Sequence, residues 1–66
     1  MDLSGKLREL RNEEGITQKV LAEKLQISRS ALALYELGLR QIPHELIPAI
    51  AKYFDVTTDY LYGLED

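Results

Sequence analysis

Apolar residues recur at helical spacing in short runs, and each run ends in a turn signal before it grows long. Leu3, Leu7 and Leu10 stand at i, i+4 and i+7, one stripe of a first helix that Gly15 is placed to stop. Thr17 is a good N-cap for a second helix with Leu21, Ala22 and Leu25 on its buried face. Gln26-Ile27-Ser28 then breaks the period. Ser28 opens a third helix with Leu32 and Tyr35 inward, and Gly38 closes it. Further on, Ile47, Ile50, Ala51 and Phe54 share a face. Pro43 suits the first turn of that fourth helix, while Pro48 marks either its true start or a kink. Thr57 or Thr58 caps a short fifth helix carrying Tyr60 and Leu61, ended by Gly63. No segment alternates as a strand does. Helices this short are not stable alone, so the fold class is all-α: five helices sharing one core.

Length bounds the rest. Sixty-six residues make one small domain, residues 1–66. A chain of this size buries only about 60% of its unfolded surface, so its stability is marginal without help. It has no cysteine, which removes disulfides and thiolate metal sites and fits a reducing cytoplasm, the expected location. Neither a secretory leader nor an apolar run of membrane-spanning length is visible. His44 has no second ligand at metal-binding spacing, and no carboxylate pair suggests acid/base work. Neither metal, cofactor, small-molecule ligand nor catalysis is expected.

The net charge of −3 taken alone speaks against a polyanionic partner. Its distribution speaks differently. Residues 17–44 carry Lys19, Lys24, Arg29 and Arg40 against Glu23 and Glu36. Residues 45–66 carry Lys52 against Glu45, Asp55, Asp59, Glu65 and Asp66. A basic middle and an acidic tail would turn the middle toward phosphates.

That middle is also where spacing is most informative. A helix of about eight residues, a three-residue turn and a helix of about nine follow in order from Thr17 to Gly38, the proportions of a helix-turn-helix. Ala22 supplies the small residue needed at a close crossing, and Leu25 and Ile27 anchor the turn. Gln18 opens the first of these helices, where free N–H groups and the helix dipole favour a phosphate.

The run Ile16-Thr17-Gln18-Lys19-Val20-Leu21-Ala22-Glu23-Lys24-Leu25-Gln26-Ile27-Ser28-Arg29-Ser30 resembles the phage-repressor-type (Cro/CI, or XRE) helix-turn-helix family of transcriptional regulators. Gly5 to Arg11 resembles the family's first helix, Tyr35-Glu36-Leu37-Gly38 its Tyr-Glu-x-Gly signature, and Ile50 to Gly63 its last two helices. The resemblance implies a five-helix repressor-like domain in which helices 2 and 3 form the helix-turn-helix. It implies sequence-specific binding of double-stranded DNA and transcriptional regulation, as a repressor, through a recognition helix at about residues 28–37 in the major groove.

It also implies roles for matching positions. Gln18 would contact a phosphate. Ser28, Arg29 and Ser30 would meet base edges or phosphates, with Ala33 and Leu34 one turn later on the same face. Arg40 and Gln41 would touch the backbone from the following loop. Arg11 and Glu36 match a pair that ties helix 1 to helix 3. The expected assembly is a homodimer on a palindromic operator, with half-sites about one helical turn apart and Tyr60, Leu61, Tyr62 and Leu64 in the dimer surface.

Some positions depart from the family pattern. Gln26 stands where the family has Gly, and Val20 where it has Glu, so the capping box at Thr17 is incomplete. Ala31, Ala33, Leu34, Leu37 and Leu39 are apolar where relatives are often polar or basic. Leu34 is then either a partner for a thymine methyl or, with Leu37 and Leu39, part of an apolar patch for a protein. The competing function is therefore a protein-interaction module that keeps the fold and does not bind DNA.

Overall fold

Four of the five α-helices begin at a side-chain cap, and four end on a left-handed residue, so most of the exposed backbone groups at helix ends are satisfied locally. The computed structural model describes residues 2–65. In order, the elements are α1 (Leu3–Glu14), α2 (Gln18–Leu25), α3 (Arg29–Leu37), a 3-10 turn (His44–Leu46), α4 (Ile47–Phe54) and α5 (Thr58–Leu61). The hydroxyls of Thr17, Ser28 and Thr57 accept from the backbone N–H groups of Val20, Ala31 and Tyr60 at 3.1, 3.0 and 3.0 Å. The Asp2 carboxylate does the same for Gly5 at 2.9 Å. Each cap satisfies one of the four unpaired donors of a helix start.

Four of the helices end on a left-handed residue, and two of these are not glycine. Gly15 and Gly38 close α1 and α3, while Gln26 (φ 59°) and Asp55 (φ 56°) close α2 and α4. The left-handed region costs an L-residue about 1–2 kcal/mol. Glycine avoids this at some cost in unfolded-chain entropy, and Gln26 is exposed. Gln26→Gly is therefore expected to stabilise the fold by about 0.5–1 kcal/mol, read as a higher urea midpoint. An unchanged or lower midpoint would show that the Gln26 side chain contributes more than its backbone costs.

Pro48 sits in the first turn of α4, where a missing N–H is harmless, and the residues after Pro43 form the 3-10 turn. Leu7, Leu21, Ala22, Leu25, Leu32, Tyr35, Ile47, Ile50, Ala51, Phe54 and Leu61 meet in one core, with Leu3, Leu10 and Ile27 packed against it. Ile42 joins that core from the loop after α3, a residue that periodicity does not reveal.

One expectation needs correcting. Leu61 does not belong to a dimer surface: its side chain is fully buried within the monomer, where α5 packs on α4 and α1. Tyr62 and Leu64 are exposed and Tyr60 is half-buried, its ring lying 4.2 Å from the Lys6 ammonium. No helix among the described residues is long and apolar enough to cross a membrane.

Candidate nucleic-acid interface

The α2–α3 pair is held against α1 by a buried ion pair. Glu36 is inward on α3 and 4% exposed. Arg11 donates to it twice, Nε to Oε2 at 2.7 Å and Nη2 to Oε1 at 3.0 Å. The third Arg11 nitrogen, Nη1, donates to the Ile16 carbonyl at 2.9 Å, so the same guanidinium also fixes the α1–α2 connection. Hydrogen bonding to Glu36 raises the Arg11 pKa; burial opposes this and Coulombic attraction adds to it. A raised folded pKa makes a contribution that is fully present below the unfolded value and lost only as pH climbs through the folded one. That window lies in strong base, so Arg11 is charged throughout the neutral range.

Gln18 is part of the same network. It is the first residue of α2, and its Nε2 donates to Glu36 Oε1 at 3.2 Å. The second N–H of that amide and its carbonyl remain available. The Gln18 side chain is thus held at a helix N-terminus by a carboxylate on α3.

Arg11, Thr17, Gln18, Lys19 and Arg29 line one shallow recess where the starts of α2 and α3 approach each other. Arg29 and Ser30 are exposed at the first turn of α3. Ser28 is also exposed, with its hydroxyl committed to capping Ala31. Ala33 and Leu34 are half-buried. Arg40 and Gln41 line a different hollow, between the N-terminus of α1 and Tyr62. Gln18 and Arg29 therefore share one depression, while Arg40 and Gln41 occupy another. Sequence reasoning passed over Lys19, which joins the first recess; its place beside Gln18 at the start of α2 was the available signal.

The family model described as Helix-turn-helix matches residues 7–61, from the Leu7 core position through all of α5. The chain belongs to the phage-repressor-like (XRE-type) helix-turn-helix family of transcriptional regulators. It is 38% identical over 66 residues to the HTH-type transcriptional activator BcrR of Enterococcus faecalis, matching all of this chain and 32% of that protein. It is 36% identical over 66 residues to the HTH-type transcriptional regulator ImmR of Bacillus subtilis (strain 168), again along its full length and over 52% of the relative. This helix-turn-helix chain thus spans about a third to a half of the curated relatives it matches. Its fold is that of the P22 c2 repressor protein, solved in complex with a synthetic operator: the TM-score is 0.87 at 22% identity, covering 98% of each chain.

Proposed function

We propose that this chain binds a specific double-stranded DNA site, with α3 in the major groove, and so regulates transcription. The observation that carries the reading is the shared recess. The opening turns of α2 and α3 meet at one surface, where Lys19 and Arg29, neither in a salt bridge among the described residues, lie beside the Gln18 amide. Phosphate contacts there set the register, and Arg29 and Ser30 reach base edges. The deep core beneath α3 holds that helix rigid. Tyr62 and Leu64 form part of a two-fold contact between two copies, which bind a palindromic operator as a repressor dimer. Arg40 and Gln41 add backbone contacts from their loop.

Selection of bound duplexes from a random pool, followed by titration at several salt concentrations, tests this. If each protomer neutralises phosphates through Lys19 and Arg40, with Arg29 on a base edge, a dimer should show a log–log salt slope of about −4. Arg29→Ala is expected to cost about 1–3 kcal/mol against the enriched site and to relax preference at one base pair per half-site. Unaltered selectivity in that variant would remove Arg29 from base reading. A second reading rests on the exposure of Leu37 and Leu39, 63% and 73%. With no enriched duplex and no salt-sensitive binding, the chain is a protein-interaction module built on this fold.

A further inference from the structure

The outward line of α3 changes chemistry along its length. Leu32, Tyr35 and Glu36 point into the core. At 100° per residue the opposite line runs Ser30, Leu34, Leu37, flanked by Arg29 and Ala33. Arg29 and Ser30 carry hydrogen-bonding groups. Beyond them this face offers only aliphatic carbon: Ala33 and Leu34 half-buried, Leu37 exposed. Leu34 lies one turn, about 6 Å, from Ser30, within the part of a recognition helix that meets base edges. Leu37 lies about 12 Å from Arg29, toward the groove rim.

An aliphatic side chain facing base edges has few matches. Guanine, adenine and cytosine present only donors and acceptors in the major groove, whereas thymine adds a C5-methyl group. Pressing Leu34 onto an exocyclic amine or an unmethylated cytosine edge would strip water from a polar group and return no hydrogen bond. A methyl on C5 covers that edge with carbon.

We propose that Leu34, with Ala33 beside it, reads the 5-methyl group of a pyrimidine. The operator then carries thymine opposite this turn of α3, and 5-methylcytosine is accepted there in preference to cytosine. This rests on the DNA-binding reading above and adds a chemical identity to one position of the site. It also makes binding at that position responsive to cytosine methylation.

The test modifies the DNA and leaves the protein intact. In a duplex enriched from the random pool, each thymine is replaced in turn by deoxyuridine, which lacks only the methyl. The expected result is about fourfold weaker binding at one or two positions per half-site, and little change elsewhere. At those positions a 5-methylcytosine·guanine pair should bind about fourfold more tightly than cytosine·guanine. Leu34→Ala, checked for retained helicity, should level the thymine–uracil difference, while Leu37→Ala should keep most of it. Equal binding of thymine and uracil duplexes, or no gain from cytosine methylation, overturns the inference and leaves the DNA-binding reading standing. Failure to enrich any duplex overturns both.

Discussion

Glu36→Ala is expected to remove about 3–5 kcal/mol of this domain's stability, a third or more of the whole, and to lower its unfolding midpoint steeply. The substitution strands Arg11, whose side chain is 14% exposed and whose Nε and Nη2 both point at the lost carboxylate. Removing one member of a buried ion pair costs about 3–5 kcal/mol. A folded chain of 66 residues has a stability of about 3–10 kcal/mol in all. Urea or thermal unfolding followed by circular dichroism reads the loss directly. The double variant Arg11→Met with Glu36→Leu should recover much of it, because an apolar pair of similar volume removes the desolvation cost together with the attraction. In that double variant Gln18 also lacks its Glu36 acceptor, so a refolded protein with weakened DNA binding would separate the two roles of the network. A Glu36→Ala protein within about 1 kcal/mol of the parent would mean that water satisfies Arg11, and the account of how α1 is tied to α3 would fail.

How much of this was legible beforehand depends on the range of the interaction. The caps at Thr17 and Ser28 were legible because a hydroxyl bonds three residues ahead and the apolar period restarts beside it, whereas adjacent Thr57 and Thr58 both suit the start of α5 and only the structure puts the cap at Thr57. The start of α4 was not legible, because Pro43 and Pro48 both suit a first turn. Four residues lie between them, and a 3-10 turn takes up three of these. The left-handed turn at Gln26 was visible only against the family's glycine. Asp55 takes the same conformation with no glycine to suggest it. Ile42 lies in a loop, where no period marks a residue as inward. The Gln18–Glu36 hydrogen bond spans 18 residues of sequence and depends on how α2 crosses α3. The Arg11–Glu36 pair, 25 residues apart, was anticipated only through the family resemblance.

The misplacement of Leu61 has a physical origin that leads to a second large effect. α5 is a single turn of four residues, too short for a 3.6-residue period to separate an inner from an outer face. Tyr60, Leu61, Tyr62 and Leu64 are all apolar enough to be either. The structure assigns them opposite fates: Leu61 is 0% exposed and Leu64 73%. Leu61→Ala is therefore expected to cost about 2–5 kcal/mol through lost burial and a residual cavity under α4 and α1, read as a collapse in the thermal midpoint. Leu64→Ala should leave that midpoint within about 0.5 kcal/mol of the parent. In the dimer proposed above, Leu64→Ala should instead weaken self-association, measured by sedimentation, and make operator binding more dependent on protein concentration. A Leu64 variant that dimerises like the parent would move the two-fold contact away from the C-terminal turn. A Leu61 variant that melts like the parent would mean that α5 adds little to the core, and that the hold of the last turn on the domain lies elsewhere, in the Tyr62–His44 hydrogen bond at 3.3 Å and the Lys6–Tyr60 contact.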